Sequence, residues 1–455
     1  MDTRLWNDLL SFNFDEPAGE YTFSLRLAQE QCWSKAFTER ALLEYRKFMY
    51  LAATSDSMVS PSEIVDAVWH QHLIYTSSYQ QFCALLGKPI QHVPSTHSRQ
   101  DALRFRKARE YTTQRYTEVF GPQPAVIWEY PDMLAPLHLS KARFPIRALL
   151  PILVVLLVLL AFPLFSLLRP VYEEIGNPGF LEYYLVAAIA AAGGLELWNR
   201  YRLRRLVAGF HPDAFVFHLH IEELVYLKRR KLSAVVAGTV GELVDRGGVI
   251  INDDRTVRAA EGSGSTPEQE QALRTLRERG SSFYAPYQRE LQQKPVFWNI
   301  AHSMSAFRKH VARSGEFAAL FFTNFGVLAL LLLWGVLRLA TGISRELPVE
   351  QLGLVLVLLL AFTIFYLLRL PRLCSTVTIP QLYHARPRTE YAEGVSDWQW
   401  RYFLFGTAVL SVSFLPLVQF VDRHSATMVG GCGSSCGSSC GSSCGGGCGG
   451  CGGGD

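Results

Sequence analysis

Charge is scarce in this chain. Asp, Glu, Lys and Arg make up 18% of its 455 residues, and the net charge is only +4. That small balance is not gathered into one basic face, so nucleic acid is not an expected partner. Cysteine is missing where a stapled secreted fold would need it. Before residue 430 there are only Cys32, Cys83 and Cys374, too few and too scattered for a disulfide framework. The first residues, MDTRLWNDLLSFNFDEP, lack a basic start followed by an apolar run, so no cleavable signal peptide is expected. Phosphate loops, paired catalytic carboxylates, a nucleophile elbow and zinc-protease helices do not occur in a supporting context. No catalytic residue is therefore singled out, and an enzyme is the less favoured class.

What the chain has in plenty is apolar sequence. Residues 148–168, 317–337, 352–368 and 403–421 have the length and purity of helices that cross a bilayer. Residues 183–198 are shorter and Ala-rich, with Glu182 and Glu196 near the ends. In chain order they read as the second of five spans, 403–421 being the fifth, or as an interfacial or buried helix. Trp398, Trp400 and Tyr402 precede the 403–421 run and suit an interfacial belt.

Lys and Arg near these runs alternate. Lys141, Arg143 and Arg147 precede the first, Arg200, Arg202, Arg204 and Arg205 follow the second, and Arg369 and Arg372 follow the fourth. The intervening turns hold few. With five spans, that bias keeps the N-terminal module and the segments 199–316 and 369–402 in the cytoplasm and sends the C-terminus outside. The apolar cores contain no charged residue, which weighs against a pump or ion-coupled transporter.

Residues 1–140 read as a soluble helical module. Phe23, Leu27, Trp33, Phe37, Leu42, Leu43 and Phe48 recur at helical spacing. Ser60, Pro61 and Glu63 signal a helix start, with Ser60 as the cap. That helix carries His70 and His72, and His92 follows after Gly87. All three are candidate metal ligands, because imidazole binds zinc or copper well. Two residues apart on a helix point about 200° apart, so His70 and His72 share one ion only if the helix ends there. His70 meeting His92 through Asp66 is another arrangement open to the sequence. The plain alternative is a histidine satisfied inside the module.

Residues 64–73 (IVDAVWHQHL), with Tyr79, Phe82, Cys83, Gly87 and 90–94 (IQHVP), resemble the core of the glycine-rich domain-containing protein family. The resemblance implies a helical module used for interaction or signalling.

In the segment 199–316, helical runs at 213–231 and 232–245 are followed by Gly247 and Gly248, then an alternating stretch at 249–260 that predicts a hairpin around Asp253 and Asp254. Two helices and a hairpin suggest a small winged-helix-like insert. Its second helix has few side chains suited to reading bases, so protein docking is expected instead. Residues 223–227 (ELVYL) and 241–250 (GELVDRGGVI), the spans and the tail together resemble an uncharacterised bacterial membrane protein family with a Cys/Gly-rich C-terminus. That likeness implies a multi-pass protein of the bacterial inner membrane.

The tail, 422–455, ends in Cys432, Cys436, Cys440, Cys444, Cys448 and Cys451 among Gly and Ser. Such a composition cannot bury a core and predicts disorder. Reduced, these thiols suit Zn or Cu(I). Outside the cell they favour disulfides, for which six cysteines allow 15 pairings. Enzymatic modification and simple tolerance also remain open.

The whole is expected to be mainly α: a helical module, about five membrane helices with transmembrane pairs at 148–198 and 317–368, a winged-helix-like insert and a disordered tail. Its expected role is a membrane-anchored scaffold or sensor that meets lipid and protein partners. The alternative is a metal-binding protein or metal-dependent enzyme using residues 69–72 or the tail.

Overall fold

The computed structural model describes residues 2–17, 19–93, 99–174, 177–385 and 396–429. The tail cysteines Cys432, Cys436, Cys440, Cys444, Cys448 and Cys451 lie outside these. The described chain is mainly helical. It opens with α1 (Thr3–Ser11), α2 (Phe23–Gln31), α3 (Lys35–Thr54), α4 (Glu63–Ile74), α5 (Thr76–Leu85), α6 (Arg99–Phe120) and α7 (Ala125–Trp128). Two long helices follow, α8 (Ile146–Glu174) and α9 (Asn177–Ala208). Then come α10 (Ile221–Arg229), α11 (Leu232–Asp245), β1 (Val249–Ile251), β2 (Thr256–Ala259), α12 (Pro267–Arg279), β3 (Ser282–Phe283), α13 (Tyr284–Gln293) and α14 (Pro295–Ala312). The last are α15 (Gly315–Ser344), α16 (Glu350–Leu373), α17 (Ile379–Ala385), α18 (Asp397–Phe405) and α19 (Leu415–Val429).

The chain divides into two compact units. The first takes residues up to Pro136, Pro212–Ser305 and those from Pro387 on, and the second takes Leu137–His211 and Ala306–Arg386. The N-terminal helices and the 212–305 segment therefore belong to one body.

Within the first unit, α3 is the central helix. Ser34 caps it by accepting the Phe37 N–H, and Ala41, Leu42, Tyr45, Phe48 and Met49 fill its buried face. Phe23, Leu27, Trp33 and Phe37 are buried with them, as their spacing predicted. The start of α4 differs from the sequence reading. Its cap is Ser62, whose Oγ accepts the Val65 N–H, while Ser60, two residues earlier, is tied to α6 by its N–H donating to Thr112 Oγ1 at 2.8 Å.

The hairpin around Asp253 and Asp254 is present. β1 pairs antiparallel with β2, and β3, arriving after α12, adds to β2. Asp254 fixes the turn by accepting from the Thr256 N–H and Oγ1 at 2.9 and 2.6 Å. The helix expected from residue 213 begins only at Ile221. The Glu223 carboxylate accepts the His220 N–H at 3.0 Å and sets that start.

Lys35 ties the N-terminal helices to the insert. Its Nζ reaches both Glu268 oxygens at 3.1 Å, and its N–H donates to Glu223 Oε1 at 2.9 Å. Burial alone would lower the Lys35 ammonium, but Glu268 and Glu222 beside it raise it above its ordinary range. Burial raises both Glu222 and Glu223.

Among the described residues, four helices, all in the second unit, are long and apolar enough to cross a membrane: Ile146–Tyr172, Gly179–Ala208, Gly315–Ser344 and Glu350–His384. The weak run at 183–198 is thus the middle of a long apolar helix. Tyr184, Leu333, Leu337, Leu356 and Leu359 form the packed centre. Asn199 and Asn324 exchange amide hydrogen bonds at 2.9 and 2.7 Å, and Asn199 also donates to the Tyr366 hydroxyl at 3.0 Å, so α9, α15 and α16 are cross-linked. Longer helices bring charge inside the unit. Arg338 is buried and donates to the Tyr172 carbonyl, and Glu196 pairs with Arg369 at 3.0 Å.

The fifth span is corrected. Residues 403–421 do not form one helix but the end of α18, a 3-10 turn at Gly406–Val409 and the start of α19. The break has a physical cause. Gly406 adopts φ +64°, and Lys228 Nζ donates to the carbonyls of Phe403 and Leu404 at 2.8 and 3.0 Å. A Cβ on residue 406 would collide with the Arg229 guanidinium. Lys228 and Arg229 hold the first residues of the run, Phe403 to Gly406, and the chain leaves α-helical geometry from Gly406 to Phe414. Phe403, Leu410, Phe414 and Val418 are buried, with Phe414 edge-on to Tyr284 of α13 at 4.9 Å. The placement of the tail outside the membrane rested on five spans and loses that support.

Candidate metal site

Helical geometry sorts the histidines. Asp66 and His70 are four residues apart on α4 and share one face. His72 lies two residues further and points the other way. His92 comes from the extended stretch after α5. Tyr79 fixes that stretch by donating to the Ile90 carbonyl, while Trp69 Nε1 donates to the Tyr79 hydroxyl at 3.1 Å. The His92 ring stands edge-on to Trp69, with centroids 4.7 Å apart.

These supports bring His92 onto the Asp66–His70 face. His92 Nε2 lies 3.0 Å from one Asp66 oxygen and His70 Nε2 lies 3.3 Å from the other. The two imidazoles are 4.4 Å apart between centroids. One ligand atom from each of the three residues falls within 4.8 Å of the others. The side chains of His70, Asp66 and His92 are 59%, 35% and 18% exposed, so the cluster opens to solvent on the His70 side. Two imidazoles and one carboxylate suit a divalent transition metal, and three protein ligands leave coordination positions open. Bond lengths near 2.1 Å need only a small inward movement of these groups.

His72 does not join this cluster, although the sequence made it a candidate ligand. Its ring is fully buried among Phe14, Phe23 and Phe82. Nδ1 lies 2.9 Å from the Tyr45 hydroxyl and Nε2 3.1 Å from Ser78 Oγ, so both nitrogens are occupied. Burial pushes its pKa down from 6.5 to about 4, which keeps it neutral. Cys83 is likewise buried in this core.

Asp66 was visible in the sequence as a meeting point but not counted as a ligand. The signal for it was the i, i+4 spacing to His70. A second pairing had no local signal. Cys32, at the left-handed end of α2, has its Sγ 3.1 Å from His302 Nε2, 270 residues away, and His302 stacks on Trp298.

Residues 23–115 match the sequence model of an uncharacterised family described as UCP032817-like. The matched stretch runs from the start of α2 into α6 and contains Asp66, His70, His72 and His92. No curated protein and no solved structure matches the chain.

Proposed function

We propose that this chain is a membrane-anchored sensor whose soluble unit binds a divalent transition-metal ion of the zinc class through Asp66, His70 and His92. The observation that carries the reading is the convergence of three ligand atoms from α4 and the 90–93 stretch within 4.8 Å. Burial of His92 against Trp69, and the tether from Tyr79 to Ile90, support it by holding one ligand in place.

Four candidate spans support a topology with both ends on one side, and the Lys/Arg bias favours the cytoplasm for that side. The tail cysteines would then be reduced and suited to Zn or Cu(I) rather than disulfides. The likeness to the glycine-rich domain-containing proteins, and the winged-helix-like order of the insert, favour docking of a protein partner on the same side. A metal-dependent enzyme at this site is the second reading, favoured by the solvent-facing positions beside His70.

The test is a Co(II) titration of the full chain in detergent, with the six tail cysteines changed to Ser so that they do not compete. One equivalent should bind with a nitrogen-and-oxygen ligand spectrum. Asp66→Asn and His70→Ala should each weaken it at least tenfold, and His72→Gln should not. Equal binding by all four proteins would sink the proposal. Impermeant thiol labelling of Cys451 in intact cells tests the side: labelling there would place the tail outside.

A further inference from the structure

The segment the sequence offered as a fifth span has two apolar faces and only one is used. Phe403, Leu410, Phe414 and Val418 turn into the first unit. On the other side Phe405, Val412 and Phe420 are 63%, 92% and 58% exposed. Three large apolar side chains left in water along 16 residues call for a partner.

Covalent connection says which partner. The apolar helix Glu350–His384 ends twelve residues before α18 begins at Asp397. Twelve residues extend no further than about 45 Å, so the segment stays within reach of the bilayer surface. Half-buried Trp400 lies on the same helix as Phe405, with exposed Arg401 beside it. Apolar and aromatic side chains edged by arginine are the composition of elements that lie in the headgroup boundary. Lys228 and Arg229 at the Gly406 turn hold the segment bent, which suits a shallow seat and rules out a straight crossing.

We propose that residues 400–420 lie in the plane of the membrane boundary, with Phe405, Val412 and Phe420 seated in lipid and Phe403, Phe414 and Val418 holding the first unit. The occupant of the exposed face is the lipid surface. This inference is independent of the metal site, and either can fail alone.

The experiment uses the full chain in nanodiscs of phosphatidylcholine and phosphatidylglycerol. A photoreactive benzoylphenylalanine replaces Phe405, Val412 or Phe420 in turn, with exposed Asp397 as the control position. Irradiation should give lipid adducts at the first three, at least fivefold above Asp397. In cells of the tail-cysteine-free chain, Ser396→Cys and His424→Cys should behave alike toward an impermeant reagent, both reacting only once the membrane is opened. Lipid adducts with the two cysteines on opposite sides would mean a true span and overturn the proposal. Adducts to a second copy or another protein, or no enrichment over Asp397, would also overturn it. Val412 makes little contact with the fold, so its replacement provides a readout even if the Phe405 variant is unstable.

Discussion

Replacing His72 by Gln should flatten the acid side of the first unit's stability. The wild-type imidazole is buried and neutral, and its pKa falls from 6.5 to about 4. The unfolded chain therefore takes up a proton that the folded chain refuses. Stability contributed by neutral His72 is fully present above pH 6.5 and is lost as pH falls toward 4. A shift of about 2.5 pH units corresponds to about 3.4 kcal/mol in all, at about 1.4 kcal/mol per unit. Between pH 8 and pH 5, linkage gives a loss of about 2 kcal/mol from this residue alone. Gln retains a donor and an acceptor for Tyr45 and Ser78 but does not titrate. The assay is urea unfolding of the full chain in detergent, read by pulse proteolysis with fragments mapped to residues 23–115. The difference between pH 8 and pH 5 should be about 2 kcal/mol smaller in the variant, other titrating groups cancelling in the comparison. Equal pH dependence in the two proteins would refute the neutral buried state of His72.

Lys35→Met should cost about 3 kcal/mol, because Glu268, 2% exposed at its side chain, loses the ammonium that bonds both its oxygens. Adding Glu268→Gln should restore most of that, measured by the same proteolysis. In the second unit, a double-mutant cycle of Asn199→Leu and Asn324→Leu should give a coupling of about 1 kcal/mol in detergent-induced unfolding, and additive effects would deny the reciprocal amide pair its role.

How legible these features were follows from how local they are. The helices of residues 23–48 and the hairpin at 249–259 rest on short-range periodicity and turn chemistry, and both were readable. The separation of His70 from His72 followed from 100° per residue. The break in the 403–421 run was not readable, because its cause sits at Lys228 and Arg229, about 175 residues earlier. Hydropathy counts the residues in a run and is blind to cations that a distant helix packs against it. The same holds for Lys35 with Glu268 and for Cys32 with His302, whose partners meet only through the tertiary fold.

If Asp66, His70 and His92 hold an ion as proposed, the shared carboxylate bears on which ions they would admit. Both imidazoles turn Nε2 toward it, so both carry their proton there when bonded to it. A metal coordinated by those nitrogens must change places with two protons, each moving to Nδ1 or to water. An oxygen-loving ion such as magnesium or calcium gains one carboxylate from that exchange and little else. An ion with a strong appetite for imidazole gains three bonds. In the proposed site, the hydrogen bonds that assemble the cluster would thus also act as its sieve, turning away the abundant hard cations before shape or size is consulted.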